Sequence, residues 1–383
     1  MHRSPVVMEG REAPVILDNH LLKPYTSFKI GGLASFFAPV ETCQRLEGVL
    51  DFAEAKRLPL FVLAGGSNVL ISDAGLMAVV IHPLMRGISL VREDSREVWL
   101  RAGAGELWDG LVAYATKHEW WGIENLSHIP GQVGAALVQN IGAYGQQISD
   151  VMESAGIADL SSGETTSLSR EECKFGYRQS IFNTTHKGRY VILSVTLRLS
   201  KQPNSNLSYP DVRNWFERSG NLRPSIQEIR DAITRVRDRK FPFPREEVGG
   251  NAGSFFKNIV LTREAYETLE RRFQNNFSAA ELSRLRELRS RFSSGNAIKV
   301  PTAFLVEVCG FRGYRAGGVQ VNEAQPLVLV NRGGATAREV MLLARTVRQT
   351  IFARTGIAIS IEPELVGFSR SELDEYLRLA EAV

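Results

Sequence analysis

Cysteine is scarce in this 383-residue chain: Cys43, Cys173 and Cys309 lie far apart, in no CxxC pair and at no ligand spacing from the six histidines. That argues against a disulfide framework and against a metal site, and points to reduced thiols in a cytoplasmic protein. Long apolar runs are missing too. Met1 to Leu17 is broken by Arg3, Glu9, Arg11 and Glu12, leaving no secretory h-region and no membrane-inserting segment, so residues 1–18 read as a loose N-terminal extension. Charge of one sign is also absent: 46 basic against 42 acidic residues leave +4. Nucleic acid is therefore disfavoured as a partner, although a few cations in a low-dielectric cleft would still attract an anionic pyrophosphate carrier. No internal repeat, low-complexity tract or heptad is visible.

What is present is ordinary globular material, 44% hydrophobic and 23% charged, enough for two or three domains. From Tyr25 to about Leu100, strand-like runs (Leu60 to Leu63, Met77 to Ile81) alternate with a helical stretch, Gln44 to Arg57, in which Leu46, Val49, Leu50 and Ala53 keep helical spacing. The same alternation returns between Val98 and Ser200, with a helix from Leu107 to Lys117 and strands near Gly156 and from Tyr190 to Leu199. The cluster of Gln, Pro, Asn and Ser from Lys201 to Asn206 marks a domain boundary. Beyond it the pattern predicts a helix from Ser225 to Lys240, a proline-rich hinge at Phe241 to Pro244, one long charged helical region from Thr262 to Phe292, and a strand from Ile357 to Leu365. In the charged region Leu282, Leu285, Leu288 and Phe292 form an apolar stripe, and Arg284, Arg286, Arg289 and Arg291 read as a solvated face.

Five segments carry chemistry. Leu63-Ala64-Gly65-Gly66-Ser67-Asn68-Val69-Leu70 runs from a strand into two glycines that would expose successive N–H groups to a pyrophosphate. It has neither the GxGxxG of a dinucleotide loop nor the GK[ST] of a P-loop, and a tight turn between strands would be written the same way. Next, Ile129 to Ala136 and Gln139 to Gly145 place Gly131, Gly134, Gly142 and Gly145 within fifteen residues, among Pro, Ala and amides. This describes backbone lying close to a flat ligand rather than a core helix. In Phe175-Gly176-Tyr177-Arg178-Gln179-Ser180, before a strand-like Ile181-Phe182, Arg178 suits a substrate carboxylate, which its fork would bind bidentately. A surface ion pair is the other reading. Ser254 stands in Gly249-Gly250-Asn251-Ala252-Gly253-Ser254-Phe255-Phe256-Lys257-Asn258 with no GxSxG elbow and no evident His or Asp partner, which argues against acyl transfer and for proton donation to a carbanion-like carbon. Finally, Ile361-Glu362-Pro363-Glu364-Leu365 sets a carboxyl on a strand near a second acid.

Taken in order, these segments resemble the UDP-N-acetylenolpyruvoylglucosamine reductase family from about Leu22 to Gly367, through IPGxVG, QNIGAYG, FGYRxSIF, NAGSFFKN and EPE. The resemblance implies an α+β fold: a two-lobed FAD-binding region of p-cresol-methylhydroxylase type over 19–203, a substrate domain over 204–355, and a segment, 356–383, returning to the FAD region. It implies that Ala64, Gly65, Gly66, Ser67 and Asn68, with Gly131, Gly134 and Gly142, cradle FAD. No histidine stands in the first loop for covalent attachment, so the FAD is expected to be dissociable. NADPH would be the co-substrate, and hydride from flavin N5 would reach the enolpyruvyl methylene carbon of a UDP-sugar. Arg178 and Glu364 would stabilise the enolate, Glu364 sharing or supplying a proton, and Ser254 would protonate the neighbouring carbon. Tyr144, Tyr209, Lys240, Asn258 and Gln325 would hold the UDP moiety; Tyr209 lies in Leu207 to Asp211, which marks the longer form of the family, where a tyrosine loop closes over substrate.

The implied protein is a cytoplasmic monomer in peptidoglycan precursor synthesis. Two departures stand out: Glu264 to Asn296 is longer and more charged than usual, without a counterpart to a further uridine-clamping tyrosine, and Leu365-Val366 replaces a common basic residue. The alternatives are a flavin oxidase of a small alcohol, which would leave NAGSFFKN and Arg178 without a purpose, and an inactive nucleotide-sugar binding protein.

Overall fold

The computed structural model describes residues 13–240, 243, 249–294 and 297–379. Helices and strands are mixed throughout, an α+β architecture. The chain forms two compact units, each assembled from separated stretches: the first from residues up to 20, 34–65 and 77–238, the second from 21–33, 66–76 and everything from 239 on.

Two sheets organise the first unit. One has the strand order Leu17–Leu21, Leu33–Val40, Leu76–Pro83, Leu60–Val62, with Leu60–Val62 running parallel to Leu76–Pro83. The helix Cys43–Lys56 starts where the Thr42 hydroxyl accepts from the Arg45 amide and ends at Arg57 in the left-handed region. Its Leu46, Val49 and Ala53 are buried, the stripe expected from the spacing.

The other sheet is antiparallel, ordered Thr165–Ser169, Met152–Asp159, Tyr190–Ser200, Glu97–Gly103, Ile88–Glu93. Its core packs Leu100, Val195 and Leu197 with Trp108 and Leu111 of the helix Trp108–Lys117. The helix Ile226–Lys240 is tied to this helix by Arg230, whose two guanidinium nitrogens donate to the two oxygens of Asp109 at 2.7 and 2.8 Å. Although burial opposes it, that arginine keeps the Asp109 carboxyl below the usual carboxylate range.

In the second unit the helix Ala337–Thr355 opens with a Thr336–Glu339 capping box, and its Val340, Leu343, Ala344, Val347 and Ile351 face the core. Phe28, Ile30 and Leu70 enter that same core from the early stretches of chain. Asp73 accepts from the Ala337 and Arg338 amides at 2.8 and 3.0 Å, so an early residue caps a late helix.

Four local expectations change. Gly131 to Gly145 does contain a helix, Val133–Val138, because Val133, Ala136 and Leu137 supply a buried face despite the neighbouring glycines. Ile181–Asn183 is a 3-10 turn capped by Ser180, not a strand. The long charged region is two helices, Arg263–Asn276 and Ala279–Phe292, broken at Phe277 and Ser278, where Ser278 accepts from the Glu281 amide. Between Ile357 and Leu365 only Glu364–Val366 is strand, Pro363 having no N–H to extend a ladder. The exposed arginines are also more engaged than a plain solvated face: Arg286 pairs with Glu270, and Arg284 pairs with Glu307 while lying over the Phe304 ring. Of the proposed hinge, Phe241, Pro242 and Pro244 lie outside the described residues, as does the Phe292 side chain of the apolar stripe.

Candidate active site

In the first unit the strand Leu60–Val62 leads into Ala64 and Gly65. The Leu63 carbonyl accepts from Nδ1 of His82 at 2.7 Å, fixing the end of that strand. Gly65 lies so close to the Gly131 loop that a Cβ on it would sit 2.5 Å from Gly131 Cα and 2.8 Å from Gln132 N. Two of the segments singled out in the sequence are thus in backbone contact, an approach only glycine permits. The Gly131 loop is held in turn: Gly131 O accepts from Trp108 N at 3.0 Å, and Gly134 N donates to Ala104 O at 2.9 Å. Gln132 is 5% exposed; its Nε2 donates to Pro83 O, while its Oε1 is buried with no partner among the described residues.

The Gln139 to Gly145 and Phe175 to Ser180 segments interlock in the same unit. Arg178 donates to Gly142 O at 2.9 Å, Asn140 Nδ2 to Gly176 O at 3.1 Å, and Ser180 Oγ to Val138 O at 2.6 Å. Asn140, Tyr144 and Arg178 have φ of 45°, 49° and 56°, a left-handed conformation that non-glycine residues keep only where the surroundings over-determine it. Tyr144 is buried and meets Tyr209 edge to face, ring centroids 5.1 Å apart. Burial pushes the Tyr144 hydroxyl up to about 12, so it stays a neutral donor at any working pH.

Ser254 and Glu364 belong to the second unit, with Gly66, Ser67 and Asn68. Gly66 O accepts from Ser27 N at 3.0 Å, and Glu364 N donates to Asn68 O at 2.9 Å where Glu364–Val366 runs parallel to Val69–Ile71. The serine turn is pinned from both sides. Asn251 Oδ1 accepts from Gly253 N, and Phe255 donates to Leu327 O while its own carbonyl accepts from Glu362 N. Phe255 and Phe256 are fully buried, whereas Ser254 is half-buried and its Oγ has no hydrogen-bond partner among the described residues. Backbone bonds therefore join the serine turn, the Glu364 strand and the Asn68 loop.

The remaining candidates scatter. Lys240 ends the helix Ile226–Lys240. Asn258 Oδ1 accepts from Thr302 N at 3.2 Å, leaving its NH2 as the donor end. Gln325 sits in the turn from Asn322 to Val328. Sequence reasoning missed the buried amides behind the loops, Asn125 and Gln132, and it missed Arg237. Arg237 donates to His128 O at 3.0 Å, and burial draws its pKa below the usual arginine value. A polar pair such as Glu124-Asn125 within an otherwise apolar stretch was the one available signal.

Among curated proteins, the UDP-N-acetylenolpyruvoylglucosamine reductase of Flavobacterium johnsoniae is 35% identical over 352 residues, which is 92% of this chain and 99% of that protein. The chain belongs to the UDP-N-acetylenolpyruvoylglucosamine reductase family. Another reductase of the family, from Alcanivorax borkumensis, is 38% identical over 80% of this chain and 84% of its own length. The C-terminal domain of UDP-N-acetylenolpyruvoylglucosamine reductase matches residues 243–366, and an FAD binding domain matches residues 34–169. The crystal structure of the reductase from Thermus caldophilus aligns with a TM-score of 0.58 at 25% identity, covering 92% of this chain and 98% of that one. As a member of this reductase family the chain is an enzyme, an FAD oxidoreductase.

The residues present fit that cofactor. The Gly65 and Gly131 backbones form a close-set cradle without side chains, and the unpartnered Gln132 Oε1 beside it is an acceptor that a ligand donor would satisfy. Both lie inside or beside segments matched by the FAD binding domain.

Proposed function

We propose that this enzyme reduces UDP-N-acetylglucosamine enolpyruvate to UDP-N-acetylmuramate with NADPH, as a cytoplasmic monomer making a peptidoglycan precursor. Ala64 to Asn68, Gly131, Gly134 and Gly142 would hold a dissociable FAD within residues 19–203. The chemistry that FAD supplies when bound is two-electron transfer from NADPH to the enolpyruvyl methylene carbon. Tyr144, Tyr209, Lys240, Asn258 and Gln325 would hold the UDP-sugar, Lys240 as a charge and Asn258 as a donor at the pyrophosphate.

Arg178 would bind the substrate carboxylate, where charge grows as the enolate forms, and Glu364 would share or supply a proton there. Ser254 Oγ would then give its proton to the carbon adjoining the carboxylate and recover one from solvent, which sets the stereocentre. The observation carrying this reading is the serine turn, whose hydroxyl makes no bond within the described residues while Phe255, beside it, is bonded to Glu362, two residues before the Glu364–Val366 strand.

Anaerobic stopped-flow tests it by separating the two halves of the reaction. In Ser254→Ala, flavin reduction by NADPH should stay within about threefold of wild type, while flavin reoxidation by the enolpyruvyl UDP-sugar slows by about a hundredfold or more. Equal loss in both halves overturns the role of Ser254, and protein that fails to bind FAD when reconstituted with it overturns the whole reading.

A further inference from the structure

Tyr144 and Tyr209 stand on two different loops of the first unit, and a buried polar network joins those loops. Asn125 is 0% exposed. Its Nδ2 donates to Tyr144 O and to Asn206 O, both at 2.8 Å, so one amide fixes the carbonyl of one tyrosine and that of a residue just ahead of the other. Asn125 is itself held: its N–H donates to Gln146 Oε1 at 2.9 Å, Gln146 Nε2 donates to Glu124 Oε1 at 2.6 Å, and Glu124 Oε2 accepts from Gly122 N at 2.7 Å. From the other side Asn206 Nδ2 donates to Gly145 O at 2.9 Å, while its Oδ1 accepts from Ser208 N at 3.1 Å.

An apolar side chain would fill this position more simply, since the neighbouring cluster of Trp121, Val212 and Phe216 is hydrophobic. Burying an amide is costly unless its hydrogen bonds offset the loss of water; here both Nδ2 bonds go to the tyrosine loops, while Oδ1 is buried with no partner among the described residues. The left-handed Tyr144, at φ 49°, is the kind of residue that needs such an outside hold.

We infer that Asn125 is a positioning residue for nucleotide-sugar binding: it presets the Tyr144–Tyr209 pair by clamping the two loops that carry them. The inference rests on the reading that these tyrosines bind the UDP-sugar. Apparent affinity scales with the fraction of molecules already in the competent arrangement, so a clamp set before binding lowers the substrate KM without touching the NADPH half-reaction.

Steady-state kinetics and stopped-flow on FAD-loaded enzyme decide it. Asn125→Ala should raise the KM for the enolpyruvyl UDP-sugar by about tenfold and leave flavin reduction by NADPH within about twofold. Introduced into Tyr209→Ala, the same change should add less than about threefold, because the clamp then has only one ring left to position. An unchanged KM in Asn125→Ala, or the full tenfold factor persisting without Tyr209, overturns the inference. A Tyr209→Ala enzyme with unchanged KM overturns the underlying substrate reading instead. Should Asn125→Ala fail to fold, Asn206→Ala, at a half-buried position, should raise the same KM by about threefold, and an unchanged value there overturns the clamp.

Discussion

Acid should weaken the fold through His82. Burial holds its imidazole below the ordinary value of 6.5, although the bond to the Leu63 carbonyl pulls the other way. The unfolded chain then takes up a proton that the folded chain resists, so stability is fully present above the unfolded pKa and falls as pH drops below it. Urea unfolding from about pH 7 down to about pH 5 should show this decline, and His82→Gln should show a smaller one. An identical decline in both proteins would remove His82 from the account. At this scale the sequence singles out residues that sit inside a specific string, as Arg178 and Ser254 do, and their roles stand as proposed. It was silent on Asn125 and Gln132, because a buried amide is recognised by its partners, and those stand near in space rather than in sequence. The three cysteines read correctly as unpaired thiols, and burial pushes Cys173 up to about 12 and Cys309 up to about 11, far from nucleophilic.

Among elements, periodic stretches were the legible ones. Gln44 to Arg57 shows its apolar stripe openly and forms Cys43–Lys56, and the strand Tyr190–Ser200 sits where its apolar residues placed it. The glycine-rich stretch was harder. Six residues, Val133–Val138, are too few for periodicity to register, and they are helical because the sheet core receives Val133 and Leu137. The contact between the Gly65 and Gly131 loops was likewise invisible, being a distance between backbones that no side-chain pattern encodes. It carries its own expectation. In Gly65→Ala the new methyl group would sit 2.5 Å from Gly131 Cα, forcing the loops apart and weakening FAD binding by about tenfold to a hundredfold. Ultrafiltration of the purified variant against free FAD measures this, and full flavin retention would show that the cradle tolerates the displacement.

For the whole molecule, the α+β class came with the family resemblance and is the class observed, but the interleaving of the two units was not readable. Residues 21–33 and 66–76 belong with the chain beyond 238 because of long-range packing: Phe28 and Leu70 are buried with Phe255, Val340 and Val347, and Asn331 Nδ2 donates to Phe28 O and Lys29 O. A polypeptide beginning at about residue 239 would lack those inserts. It should therefore show no cooperative thermal transition by circular dichroism, and a sharp transition would show that the inserts are dispensable.

The cap that Asp73 places on the helix Ala337–Thr355 has a consequence during synthesis. At a translation speed of about 5–20 residues per second, the ribosome needs on the order of 13–53 seconds to reach that helix after releasing Asp73. Throughout that interval Phe28, Ile30 and Leu70 wait on a nascent chain without the partners that will cover them, which makes this early stretch a binding target for holdase chaperones.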